Sequence, residues 1–181
     1  MTQNLPIAEQ VRIAGELAYR AKVFHAAWFA IASREGRSRY GAALTEHAEI
    51  LVMTQAAHMS ALVVTLHSLF ERSAKTVNLP NISKQLEHLA ADDPERCVPM
   101  TVKIARLRHN IFAHRSGKLS KEDVFKLAGL SSNDMRWLAG RAASISRQFH
   151  RHLELPAPPE AIGARAAIEN LLAAVERDAA L

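Results

Sequence analysis

The helical spacing of apolar residues along most of the chain is the feature that most constrains its fold. Residues typical of strands are rare outside this pattern, whereas Ala, Leu, Glu and Arg are abundant. In the first segment apolar residues recur at the spacing of one helix face, at Ile7, Val11, Ala14, Leu17, Ala18, Ala21, Phe24, Trp28, Ile31 and Ala32. The pattern predicts an all-α helical bundle with long antiparallel core helices and short connections.

Turn-forming residues divide the remainder into further helices. The polar stretch around Gly36 ends or bends the first helix, and Asn78, Pro80 and Asn81 predict a break. The second long segment is long enough to kink or to be two helices. Helices are predicted at residues 41–75, 82–90, 94 or 100 to 114, 120–129, 131 or 132 to 153, and 161–180. We expect one domain over residues 1–181, in which residues 155–181 hold a C-terminal helix after a proline-rich connector.

Several classes of protein are disfavoured by what the sequence lacks. The first residues do not match a signal peptide, and the longest apolar run, residues 26–32, is far shorter than the roughly 18 residues of a membrane span. We therefore expect a cytoplasmic protein with no membrane association. Cys97 is the only cysteine, which excludes an internal disulfide and a multi-cysteine zinc site. His47, His58 and His67 lack the spacing of a metal pair on one helix, so no metal or cofactor is expected.

Positive charge is concentrated in one part of the chain. The formal net charge is +5, and residues 96–121 contain seven Lys and Arg residues and no acid. The other 16 basic residues face 18 acidic ones, so the rest of the chain is slightly negative. A local basic field attracts polyanions, which makes RNA the first partner to consider.

Residues 106–115 hold three of these seven basic residues, all arginines, together with two histidines and an asparagine. On a helix, Ile104, Leu107 and Ile111 form an apolar side that can anchor in a core while the basic residues face outward. Histidine titrates near neutral pH and can move a proton to or from a hydroxyl, and arginine binds phosphate with two donors. This combination suits cleavage of an RNA phosphodiester without a metal.

The stretch from Arg108 to His114 resembles the R-x(4–6)-H motif of the HEPN superfamily. Together with the long helix that carries residues 62–70 and the short helix at residues 82–90, it resembles the abortive-infection HEPN proteins. The resemblance covers roughly residues 5–150. It implies a small helical bundle, commonly dimeric, that acts as a metal-independent endoribonuclease in phage defence, toxin–antitoxin pairs or RNA processing.

The resemblance also implies roles for individual residues. Arg108 and His114 would be the catalytic pair, brought together with a second copy's motif across a dimer interface. The polar place after the arginine, often Asn in the family, is filled here by His109, and Asn110 is a second candidate for polar support. The products would carry 2′,3′-cyclic phosphate and 5′-hydroxyl ends. A cognate antitoxin protein is among the partners that the resemblance implies.

Other interpretations stay open at this point. The remaining basic positions of the motif are predicted RNA contacts, with solvated or interface positions as the alternative: Arg106, His109, Arg115 and Lys118. An alternative interpretation of the motif as a whole is a cluster of cations at a helix end, since cations near a helix C-terminus are stabilised by the helix dipole. The alternatives to a ribonuclease are a non-catalytic HEPN-like module that binds RNA or protein, and an adaptor bundle with a solvated basic stretch. Trp28, Phe29 and Trp137 are predicted to be core or dimer-contact aromatics.

Overall fold

The computed structural model describes residues 5–87, 89, 94–112, 126 and 128–179, and within them it contains helices and turns but no strand. The predicted all-α helical bundle is therefore confirmed. Its α-helices are α1 (Ile7–Ala32), α2 (Arg34–Arg39), α3 (Gly41–Glu46), α4 (Ala48–Phe70), α5 (Leu79–Gln85), α6 (Val98–Phe112), α7 (Ser132–His152) and α8 (Ala164–Ala179). A short 3-10 helix, Pro94–Cys97, leads directly into α6.

Helix α1 lies at the centre of the bundle and packs most extensively against α4 and α7. It contributes small buried side chains at Ala14, Ala18 and Ala21, which allow its neighbours to approach closely. Most of the large, fully buried side chains come from the neighbours, and those less than 2% exposed include Leu62, Leu66 and Leu69 of α4 and Met135, Leu138 and Ile145 of α7. Helix α6 packs on α4 from the other side.

The C-terminal helix α8 packs against α1 and α3. The carboxylate of Glu176 accepts hydrogen bonds from the backbone N–H groups of Ala42 and Ala43, at 3.1 and 2.7 Å. These N–H groups belong to the first turn of α3. The first N–H groups of a helix have no carbonyl partner within that helix, so the carboxylate takes its place. The Tyr40 hydroxyl donates to the Glu169 carbonyl at 3.3 Å, and Leu172 is buried beside Tyr40 in a second apolar cluster.

The helix boundaries follow local capping residues. The long segment predicted at residues 41–75 is two helices, α3 and α4, which meet at His47. Helix α5 begins at Leu79, before the predicted start, because Asn78 caps it by accepting from the Asn81 N–H at 2.9 Å. Helix α7 begins as predicted, with Ser131 and Asp134 forming a capping box. The helix predicted at residues 120–129 lies largely outside the described residues.

Helix α4 leaves the core along its N-terminal half. Leu62, Leu66 and Leu69 are fully buried, whereas Ile50 and Met53 are 61% and 63% exposed. Within the described part of the chain, α4 is the one helix long and apolar enough to cross a membrane by length and composition. A core helix meets the same criteria, so this is weak evidence of a span.

Candidate functional site

Helix α6 holds the first half of the predicted motif with its apolar side in the core. Ile104 and Leu107 are fully buried, and Arg106, Arg108 and His109 are exposed. The predicted division of this helix into an anchoring side and a basic, solvent-facing side is confirmed for these five residues. The arginines therefore lie where a phosphate in solution can reach them.

The second half of the motif is described only in part. Asn110 belongs to α6, but its side chain and that of Ile111 are not among the described ones. His114, Arg115 and Lys118 lie outside the described residues. The pairing of Arg108 with His114, and the RNA contacts of Arg115 and Lys118, stay predictions.

The structure adds a neighbour to Arg108 that the motif does not contain. His67, in the last turn of α4, lies close enough to Arg108 for the arginine's charge to act on it. The pKa of His67 is below its ordinary value of 6.5, mainly because the ring is partly buried and also because Arg108 repels the charged form. Glu71 opposes this shift in the pKa, and its Oε2 lies 3.7 Å from Nδ1 of His67. His67 is therefore an uncharged base at neutral pH beside an arginine.

This cluster of Arg108, His67 and Glu71 is held by the packing of α4 on α6. Leu66 and Leu69 flank His67 on α4, and Leu107 precedes Arg108 on α6, and all three are fully buried. Buried neighbours fix the backbone beneath each polar side chain. The sequence alone does not identify His67 as a site residue, and the one local signal that could have pointed to it is its i, i+4 spacing to Glu71.

Two further histidines, His25 and His150, are buried and bonded within the bundle. His25 is 7% exposed, its Nε2–H donates to the Ser132 carbonyl at 3.2 Å, and its ring stacks on Phe29. His150 is 3% exposed, with Nδ1 2.9 Å from the Ser146 carbonyl oxygen. Across the described ranges no three His, Cys, Asp or Glu side chains lie close enough to hold a metal ion.

The aromatic residues divide between core and surface. Trp28 is 8% exposed and lies edge-on to His25, so its predicted place in the core is confirmed. Trp137 is 46% exposed, so a place in the core is wrong for this residue. It extends from the outer face of α7, and Gly140, one turn later, leaves it uncovered.

Searches with family models, among curated proteins and among solved structures find no match to this chain. Support for a function therefore has to come from the chemistry of the chain's own residues. A phosphate bound at Arg108 would meet a guanidinium with several N–H donors and, beside it, the uncharged imidazole of His67.

Proposed function

We propose that the chain is a metal-independent endoribonuclease of the phage-defence or toxin kind, with Arg108 and His114 as its catalytic pair. The observation that carries the proposal is the exposure of Arg106, Arg108 and His109 on a helix that Ile104 and Leu107 anchor in the core. A helix built this way presents its cations to solvent from a fixed backbone. Fixed donors stabilise the charge that develops on a phosphate in the transition state.

The reaction needs three groups. The 2′-hydroxyl oxygen of a ribose attacks the adjacent phosphorus, a base takes the hydroxyl proton, and the 5′-oxygen leaves with a proton from an acid. His114 serves as base or acid because imidazole titrates near neutral pH. Arg108 binds the phosphoryl oxygens and Asn110 orients the groups. The products are a 2′,3′-cyclic phosphate and a 5′-hydroxyl.

His67 is a further candidate for the base. Its pKa is lowered by burial and by Arg108, so its imidazole is free to accept a proton at neutral pH. Glu71, with Oε2 3.7 Å from Nδ1, would favour the charged ring once the imidazole has accepted a proton. In that arrangement α4 would provide the base and α6 the arginine that binds the phosphate, and the two helices pack on each other.

The dimer is the second part of the proposal, and the exposed face of α4 supports it. Ile50, Met53, Ala57 and Val64 follow the three-and-four spacing of a helix–helix seam, and all four are exposed. The same face continues to His67, which lies beside Arg108. A second copy docked on this face would therefore border Arg108 and enclose the phosphate between two chains.

The proposal predicts cleavage of single-stranded RNA by the purified protein in the presence of EDTA, with cyclic-phosphate ends on the products. His114→Ala should lower the rate on the order of 100-fold to 10,000-fold, the usual contribution of a general acid or base. His152→Ala, at the exposed end of α7, is the matched control and should cleave at the wild-type rate.

Two results would overturn the ribonuclease. One is an absence of cleavage by the wild-type protein, and the other is equal cleavage by His114→Ala. If the wild-type protein binds RNA without cleaving it, and affinity falls with rising salt, the chain is instead a non-catalytic RNA-binding module.

A further inference from the structure

Trp137 is a large aromatic side chain that the fold leaves on its surface. It is 46% exposed in the first half of α7, whereas Trp28 is 8% exposed. Tryptophan offers a broad apolar ring with a polar N–H, and such residues on a surface are typical of binding sites.

The sequence of α7 explains why the ring is uncovered. A helical side chain leans toward the N-terminus and covers the preceding turn, so residues three or four positions later would cover Trp137. The residue three positions later is Gly140, where an added Cβ would meet no atom within 4 Å, and the residue four positions later is Arg141, whose side chain lines the same surface as the ring. The result is a shallow, open surface groove lined by Asn133, Asp134, Arg136, Trp137, Gly140 and Arg141.

Two arginines lie beside the ring. Arg136 precedes Trp137 and is exposed, and Arg141 follows four positions later on the same face. The acid of the groove, Asp134, already accepts hydrogen bonds from the N–H and the hydroxyl of Ser131, both at 2.8 Å. Lys103 of α6 lies close enough to Asp134 for its charge to act on that carboxylate, so the basic helix adjoins the groove.

We propose that Trp137, Arg136 and Arg141 form a platform for single-stranded RNA. A base stacks on the indole ring, and the neighbouring phosphates contact the two guanidinium groups. The bases of a duplex already stack on each other, so the platform selects unpaired strands. This inference rests on the proposed function in one respect, since it takes RNA to be the substrate.

Intrinsic fluorescence tests the stacking directly, because the chain has two tryptophans. Trp28→Phe leaves Trp137 as the sole emitter, and His114→Ala in the same chain prevents cleavage during the titration. A short single-stranded RNA should quench the emission to saturation. The same RNA annealed to its complement should quench far less.

Binding of a labelled single-stranded RNA, in chains that retain Trp28, provides the second measurement. Trp137→Ala and Gly140→Leu should each weaken binding about 10-fold to 100-fold, the range found for loss of one base–aromatic stack. Gly140→Leu keeps the tryptophan but covers it, and leucine favours a helix more than glycine does. Leu171→Ala removes a 65% exposed leucine from α8 and should bind like the wild-type protein.

The outcomes separate this platform from the ribonuclease. Unchanged binding by both α7 variants would overturn the platform, whatever His114→Ala does to cleavage. The platform would also be overturned if the Trp137 emission did not change with added RNA but shifted with protein concentration. Trp137 would then be a contact between copies of the chain. Binding that depends on Trp137 without any cleavage would support the platform and contradict the ribonuclease.

Discussion

His25 is a residue whose protonation is coupled to folding. Burial lowers its pKa below the ordinary value of 6.5, the hydrogen bond to the Ser132 carbonyl partly opposes this shift, and Arg136 adds to it. Burial also lowers the pKa of His58 and of His67. Well above pH 6.5 these rings are neutral in both the folded and the unfolded state and contribute no pH dependence. Below it the unfolded chain binds more protons, so folding becomes less favourable.

The free energy of unfolding should therefore decrease as the pH falls from neutral to about 5. His25→Gln should weaken this pH dependence, because glutamine does not titrate and its amide can still donate to the Ser132 carbonyl. His152→Gln, an exposed histidine on the same bundle, is the control and should keep the wild-type profile. Urea denaturation between about pH 5 and pH 7 measures the free energy of unfolding of each variant. A His25→Gln profile that matches the wild-type one would contradict the assignment.

At this scale, sequence predicts the type of residue better than its surroundings. Arg108 was identified from a local pattern, since its motif and the apolar residues beside it lie within one helix. Its neighbour His67 is 41 positions earlier in the chain, and no local pattern links the two. The exposure of Trp137 likewise depends on which face of α7 meets α1.

Among the helical elements, α1 and α2 meet at a tight corner. Helix α1 ends at Ala32, Ser33 caps α2, and the chain turns so sharply that Gly36 approaches the last turn of α1. A Cβ on Gly36 would lie 1.9 Å from the Ala30 carbonyl oxygen. That oxygen belongs to the backbone of a packed helix, so it cannot move aside as a side chain can.

Gly36→Ala should therefore lower the free energy of unfolding by about 1–3 kcal/mol, the usual cost of forcing extra volume into a packed site. Gly41→Ala is the matched control, because a Cβ there meets no atom within 4 Å. It should be neutral or stabilise by up to about 1 kcal/mol, through loss of freedom in the unfolded chain. Chemical denaturation gives the free energy of unfolding of the two variants. Equal values for Gly36→Ala and Gly41→Ala would contradict the close contact at Gly36.

Most helices could be predicted from apolar spacing and capping residues, as α1 and α7 show. The start of α5 was missed because Asn78 was interpreted as part of a turn, whereas its side chain caps the helix. The division between α3 and α4 was one of two predicted alternatives. Which face of α4 stays exposed could not be predicted, because apolar residues surround that helix and only its packing partners decide.

In the whole molecule, those groups proposed to meet RNA that the structure describes lie on neighbouring helices around one core. Arg108 extends from α6 beside His67 of α4, and Lys103 of α6 adjoins the start of α7, where Trp137 lies. The concentration of positive charge at residues 96–121 is a property of the sequence. The positions of Lys103 next to an aromatic groove and of Arg108 next to an exposed apolar helix face emerge only when the bundle forms.

The central claim is that Arg108 acts on the phosphate, and its most direct test is the single-turnover rate of RNA cleavage in EDTA. Arg108→Ala should cleave at least about 100-fold more slowly than the wild-type protein, the scale expected when one transition-state donor is lost. Arg20→Ala removes an exposed arginine from α1 and should leave the rate unchanged. Equal rates for Arg108→Ala and the wild-type protein would contradict the claim.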